Sequence, residues 1–239
     1  MKKGLTELVF ILDRSGSMSG LEQDTIGGYN SLLEKQKNEP GEATITTVLF
    51  DDHYELLHDR INLKGIKPIT GSEYFVRGTT ALLDAIGRTI DKIKNAQNNT
   101  AAEERAENVM FVITTDGMEN ASREYRFDKI KSMIEERKKC GWQFLFIGAN
   151  IDAIETAGKF GISPDHAVNY SHDPRGTELK YMAMGKAVSK VRRSEQLNAE
   201  WKEELEKDSK ARTDQSKPVK DEAKKDDKKG DIFSRLKKK

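Results

Sequence analysis

The stretch Leu8-Val9-Phe10-Ile11-Leu12-Asp13-Arg14-Ser15-Gly16-Ser17 joins five consecutive apolar residues to a polar turn. An apolar run without alternation has both faces buried, as in a central parallel strand covered by helices on either side. The turn carries one acid and two hydroxyls at alternate positions, with Gly16 relieving crowding between them. In an extended turn the side chains of Asp13, Ser15 and Ser17 converge on one point. A hard divalent cation such as Mg2+ takes oxygen ligands of this kind and keeps some waters. Alone, D-x-S-x-S is a weak pattern, because turns after strands need polar residues too.

The neighbouring segments repeat the logic of that first strand. Leu21, Thr25, Gly28 and Leu32 recur at helical spacing and predict a helix over 21–37, ending before Pro40-Gly41. Thr44–Phe50 is β-branched and apolar. Asp51-Asp52 then turns into 53–58, which predicts a hairpin with one antiparallel edge strand. Thr79-Thr80 opens a helix with Leu82, Ile86, Ile90 and Ile93 on one face, and 95–104 is a polar loop. Val109–Thr114 is a second fully apolar strand, ending at Thr115-Asp116-Gly117. Ser122 is placed to cap a helix carrying Phe127, Ile130 and Ile134. The strand 142–147, a short helix over 152–159 and an edge strand over 167–170 complete the alternation. Such alternation predicts an α/β domain with a doubly wound, mostly parallel sheet, in which ligands bind beyond the carboxyl ends of the strands.

The rest of the 239 residues divides by composition. Residues 1–175 form the α/β domain, 176–208 a C-terminal helical extension, and 209–239 a disordered basic tail. The tail carries 12 Lys+Arg and 6 Asp+Glu, leaving 29 and 34 of the totals of 41 and 40 to residues 1–208. An acidic body with a basic tail is hidden by the formal net charge of +1. The extension reads as one helix with a Leu197, Trp201, Leu205 stripe, facing either the body or a partner. The amphipathic end 231–236 reads either as a docking segment or as a solvated tail.

Composition also bounds the function. One cysteine, Cys140, allows no disulfide within the chain. Glu7 and Asp13 interrupt the N-terminal apolar stretch before it resembles a signal peptide, and no segment approaches the roughly 20 apolar residues of a membrane helix. The expectation is a cytoplasmic protein. No P-loop is present. His53, His58, His166 and His172 form no ligand-spaced cluster and read as surface histidines. The tail's own acids and its lack of stacking aromatics argue against nucleic acid.

Three motifs in order, Asp13-x-Ser15-x-Ser17, Gly78-Thr79-Thr80 before an apolar helix and Thr114-Thr115-Asp116-Gly117 after an apolar strand, resemble the metal-ion-dependent adhesion site (MIDAS) of the von Willebrand factor A (VWA) domain family. The resemblance covers about residues 5–170 and is of the compact, disulfide-free, intracellular bacterial kind. It implies a Rossmann-like fold and a metal site made of Asp13, Ser15, Ser17, Thr80 and Asp116, with Thr79 as the alternative to Thr80. It implies that the serines and the threonine bind Mg2+ (or Mn2+) directly and that the aspartates bind directly or through water. One position is then left for a Glu or Asp of a protein partner. Arg14, Met18 and Glu119 flank the motifs, either as a partner-selecting rim or as plain solvent-exposed residues. The C-terminal helix and tail offer a second contact. Each motif residue has a bland reading as well, Ser15 and Ser17 as turn formers, Thr80 as a helix cap and Asp116-Gly117 as a turn pair. The expectation is a binding module rather than an enzyme. The alternative is Mg2+-dependent phosphoryl transfer with Asp13 as nucleophile, against which stands Arg14 in the place where a second carboxylate would help.

Overall fold

The computed structural model describes residues 1–215. β1 (Lys2–Asp13) is the central strand, and its alternate side chains feed two cores. Leu8, Phe10 and Leu12 enter one core, Val9 and Ile11 the other, so an unbroken apolar run is what a strand covered on both faces requires. The first core is closed by α1 (Glu22–Lys37) and α5 (Pro174–Arg192), the second by α2 (Leu82–Asn98), α3 (Phe127–Lys139) and α4 (Ala153–Lys159).

With β2 (Glu42–Phe50), β3 (Tyr54–Asn62), β4 (Ala106–Thr115), β5 (Gln143–Gly148) and β6 (Ala167–Asn169), the sheet order is β3-β2-β1-β4-β5-β6. All neighbours are parallel except β2 and β3, the antiparallel hairpin expected at that edge. The order reverses between β1 and β4. Those are the strands that end at Asp13 and Thr115, so the polar turns at 13–17 and 115–117 face each other across the switch point, where ligands gather in this class of sheet.

Several local expectations are corrected. Ser122 does not cap α3, whose N-cap is Arg126. Its hydroxyl instead accepts from the Asp84 amide and donates to Glu119. Helix α2 starts at Leu82 and runs to Asn98, taking in residues 95–98 of the stretch expected as a loop.

The single C-terminal helix is two helices. α5 ends at Arg192, Ser194 turns the chain at φ 55°, and α6 (Glu203–Gln215) follows a short 3-10 turn. The break lets Leu197, Trp201 and Leu205 fold back into the first core, with Trp201 Nε1 donating to the Asp165 carbonyl at 2.9 Å. That stripe therefore faces the body. α5 is likewise a layer of the domain, burying Leu179, Met184, Ala187, Val188 and Val191 with β1. At its end the buried Arg192 guanidinium donates to the carbonyls of Gln36, Glu39, Pro40 and Gly41 and so ties α5 to the close of α1. Of the expected tail, 209–215 continue α6, while 216–239, with the amphipathic end at 231–236, lie outside the described residues.

Candidate metal centre

The turn after β1 is bent by hydrogen bonds that its own sequence supplies. Asp13 Oδ1 accepts from the Ser15 amide at 2.7 Å, and the Gly16 amide donates to the Gly78 carbonyl at 3.1 Å. Those bonds bring the loop that precedes α2 against the loop that follows β1. Ser15 Oγ and Ser17 Oγ then lie 3.0 Å apart, and Ser17 Oγ donates to Asp116 Oδ1 at 2.5 Å. Asp13 Oδ2 accepts from Thr115 Oγ1 at 2.6 Å, which joins the ends of β1 and β4.

Thr80 reaches the same place from the third loop. Its amide donates to Asn120 Oδ1, and its carbonyl accepts from the amides of Asn120 and Ala121, so the segment after Asp116 fixes it. A Cβ added at Gly117 would lie 3.1 Å from Ser17 Oγ and 3.2 Å from Thr80 Oγ1, so both hydroxyls close on that glycine. Thr80 is buried and Thr79 exposed, so of the two it is Thr80 that faces the cluster. All five residues expected as ligands are thus brought together, with Asp13, Ser15, Thr80 and Asp116 buried and Ser17 exposed at the opening.

The electrostatics of this cluster ask for a cation. Burial pushes the Asp13 carboxyl above its usual range, against the hydrogen bonds from Ser15 and Thr115. Asp116 is pushed up by burial too, against Ser17, His172 and Lys180. Asp116 Oδ2 lies 2.9 Å from His172 Nδ1, yet neither atom has a hydrogen-bond partner in good alignment. A buried carboxylate oxygen without a donor is costly unless something positive meets it. The donor set is all oxygen, with neutral hydroxyls outnumbering carboxylates, and it fits a hard divalent ion.

The rim is not where the sequence suggested. Arg14 is wholly buried, with Nε on Asp51 at 3.0 Å, NH1 2.8 Å from Glu55 and the guanidinium stacked over Phe75. Asp51 also accepts from Arg77 Nε at 2.7 Å, and its backbone carbonyl accepts from the Ala81 amide, so this cluster ties the loop carrying Thr80 to the sheet. Met18 is buried against the Tyr170 hydroxyl. Both are corrections, and the cause is the same. The 66–81 connection closes over one side of the motif and the 170–173 segment over the other, leaving neither side chain a route to solvent.

Glu119 is half-buried and occupied as a cap, its carboxylate accepting from the amides of Leu83, Ala121 and Ser122. An exposed apolar neighbour of the site is Met118, 75% accessible. Asp51, Asp52 and His53 are close enough to suggest a second acidic site, but Asp51 is already neutralised by the two arginines.

Sequence reasoning passed over Tyr74 and Lys180, gave Thr115 no role of its own and read His172 as a surface histidine, whereas His172 is half-buried against Asp116. Tyr74 donates to the Asp13 carbonyl at 2.6 Å. A signal existed for Lys180, which interrupts the buried α5 stripe Thr177, Lys180, Met184, Ala187, Val191 at helical spacing.

The fold is similar to that of several solved structures. The chain matches a D319A mutant of the PilB minor pilin from Streptococcus sanguinis with 12% identity and a TM-score of 0.54, over 78% of this chain and 62% of the pilin. It matches manganese-loaded Plasmodium vivax TRAP protein with 17% identity and a TM-score of 0.51, over 74% and 72%. It also matches proximal thread matrix protein 1 from the mussel byssus, with a zinc-occupied MIDAS motif, with 15% identity and a TM-score of 0.50. That match covers 78% of this chain and 45% of the mussel protein.

The fold is that of the von Willebrand factor A domain. No protein-family model matches the sequence, and no curated protein matches it. The chain spans 62% of the pilin and 45% of the mussel protein, so the VWA likeness concerns architecture. Among the described residues no helix is long and apolar enough to cross a membrane.

Proposed function

We propose that this VWA domain is a metal-dependent protein-binding module, with Ser15, Ser17 and Thr80 as direct ligands of Mg2+ or Mn2+ and Asp13 and Asp116 as anchoring carboxylates. The observation that carries the reading is the meeting of the loops after β1 and β4 with the loop before α2 at one oxygen cluster that includes a buried, undonated Asp116 Oδ2. When bound, the ion supplies an electrophilic position to a Glu or Asp of a partner, strongest where few ligands are charged. Two solved neighbours are described as metal-loaded, with manganese in one and with zinc at a MIDAS motif in the other, which supports a metal here.

The chain's own residues do the positioning. Thr115 and the Ser15 amide fix Asp13, Asn120 fixes Thr80, and the Arg14–Asp51–Arg77 cluster holds the Thr80 loop down. The exposed Met118 gives the partner an apolar foothold beside the opening. The burial of the Leu197–Trp201–Leu205 stripe leaves a second partner contact to the outer face of α6 and the tail. The reading places the protein in the cytoplasm, in keeping with its single Cys140.

A phosphoryl-transfer enzyme with Asp13 as nucleophile is the weaker reading. Both Asp13 oxygens are engaged, Oδ1 by the Ser15 amide and Oδ2 by Thr115, and the residue is 2% exposed. Those bonds leave lone pairs for a cation, but the burial of Asp13 gives its oxygens no open approach to a substrate phosphorus.

A pull-down with the full chain tests the proposal, run in Mg2+, in EDTA, with Ser15→Ala/Ser17→Ala and with the chain cut after residue 215. Capture that requires Mg2+ and both serines supports it. Capture indifferent to EDTA and to the double variant contradicts it. Turnover of a generic phosphate ester that disappears in Asp13→Asn transfers the assignment to the enzyme.

A further inference from the structure

The cradle has a neighbour that belongs to none of its three motifs. β6 runs parallel to β5 and ends at the same edge of the sheet as β1 and β4, so the segment 170–173 leaves it beside the cradle. That segment is held at both ends. The Tyr170 amide donates to the Gly148 carbonyl at 2.9 Å, and Asp173 caps α5 by accepting from the Gly176 amide at 2.7 Å. A Cβ at Gly176 would overlap the Ser171 carbonyl, so glycine is what lets the first turn of α5 close on the segment. His172 lies between these anchors, and they set its Nδ1 2.9 Å from Asp116 Oδ2.

Both atoms are buried, and neither makes an aligned hydrogen bond. A hydrogen-bonded imidazole would hold its ring proton close to the line joining nitrogen and oxygen. Here the two atoms sit side by side instead, as two ligands of one ion do. Donors on adjacent corners of a six-coordinate ion, with bonds of about 2.1 Å, lie about 3.0 Å apart. Ser15 Oγ and Ser17 Oγ show that spacing at 3.0 Å, and the His172–Asp116 pair matches it at 2.9 Å. The other three histidines are engaged elsewhere, His53 beside Asp51 and Asp52, His58 on Thr47 and His166 at the Leu197 carbonyl.

We propose that His172 Nδ1 is a further ligand of the cation, which raises the preference of the cradle for Zn2+ over Mg2+ beyond what its oxygens alone give. The inference rests on the metal-site reading. Imidazole nitrogen suits Zn2+, whereas carboxylate, carbonyl and water oxygens suit Mg2+. A neutral imidazole adds a donor without adding charge, so the loaded site keeps its pull on an incoming carboxylate. The side chain is 22% exposed, which gives Nε2 water for its proton while Nδ1 holds the ion.

The test uses the full chain with Mn2+, Zn2+ and Mg2+ alone as probes. Pulsed electron paramagnetic resonance of the Mn2+-loaded wild type should show the nitrogen coupling of a directly bound imidazole. In His172→Gln that coupling should vanish, and calorimetric Zn2+ affinity should fall at least about tenfold while Mg2+ affinity falls much less. A histidine that only steadies Asp116 would show no nitrogen coupling, and its loss would weaken both ions alike. Either result overturns the proposal, as does coupling that persists in His172→Gln. The wild-type spectrum needs no variant, so it decides the matter even where His172→Gln does not fold. A wild type that binds none of the three ions sinks the metal reading and this inference with it, whereas Mn2+ bound without nitrogen coupling sinks the role of His172 alone.

Discussion

Gly117→Ala is the substitution that separates the binding site from the fold most cleanly. The added Cβ would sit 3.1 Å from Ser17 Oγ and 3.2 Å from Thr80 Oγ1, against two of the hydroxyls proposed to hold the cation. Both distances are a few tenths of an ångström inside ordinary van der Waals contact, and the neighbours are hydroxyls on short side chains, one of them exposed. The folding penalty therefore belongs at the low end of small-to-large changes, about 1 kcal/mol. Metal binding has less tolerance. Mg2+ asks for oxygen distances of about 2.0–2.1 Å in near-octahedral order, so displacing two hydroxyls by a few tenths of an ångström spoils the shell. Outer-shell disturbances of metal sites cost roughly 10–100-fold in affinity, which is about 1.4–2.8 kcal/mol, and this one touches the ligands themselves. Urea unfolding in EDTA should show a small loss, and Mn2+ calorimetry a loss of at least about tenfold. Unchanged Mn2+ affinity would refute the placement of the cation between Ser17 and Thr80.

Three further outcomes follow from groups that the fold buries. Arg14→Met should cost about 3 kcal/mol in urea unfolding, the low end for breaking a buried pair, because Asp51 keeps Arg77. A solvent-exposed rim residue would cost almost nothing. The Asp51 carboxyl is pushed up by burial, but Arg77, the His53 amide and Arg14 outweigh it and hold it below the usual range. A depressed carboxyl stabilises the fold above its unfolded pKa of about 3.9 and loses that contribution as pH falls through the lower folded value. The stability deficit of Asp51→Asn, measured in EDTA, should accordingly be full at pH 6 and shrink below about pH 4, and a deficit independent of pH would contradict the ion-pair role. Gly28→Ala would place a Cβ 2.2 Å from Tyr181 Cδ2, in the tight contact between α1 and α5. Overpacking of about 1–3 kcal/mol should outweigh the roughly 1 kcal/mol gain in helix propensity, giving a lower melting temperature.

The architecture was legible because its strongest signals are local. Runs such as Leu8–Leu12 and Val109–Thr114 state that both faces of a strand are covered, and the polar turns that follow them state where the sheet ends. Asp13, Ser15, Ser17, Thr80 and Asp116 were picked out by the resemblance of three motifs in order, each in a turn beside a strongly periodic element, and the structure brings the five together. The strand order was not, and it is the reversal between β1 and β4 that makes neighbours of Asp13 and Asp116.

Side chains whose burial depends on distant loops were misread or missed. Arg14 lies in a polar turn, and nothing near it in sequence says that Phe75 and Asp51 will enclose it. Met18 is covered by Tyr170, more than 150 residues away. The break after α5 carries neither Gly nor Pro, only Ser194 in a left-handed conformation, so the helical pattern ran on through it. Lys180 was passed over because a lysine in a helix is usually solvated. Its neighbours at three and four residues are all buried, which was the sign that it was not.

The central claim is that Ser15 and Ser17 hold a divalent cation together with Thr80, Asp13 and Asp116. Thermal unfolding of EDTA-stripped wild type during titration with Mg2+ and Mn2+, alongside Ser15→Ala/Ser17→Ala, tests it most directly. Binding to the native state alone raises stability as the logarithm of free metal once its concentration exceeds the dissociation constant, by about 2.7 kcal/mol at one hundred times that constant. The account predicts an upward shift that keeps growing with the logarithm of metal concentration in wild type and none in the double variant. No shift in wild type, or an equal shift in both, would contradict it.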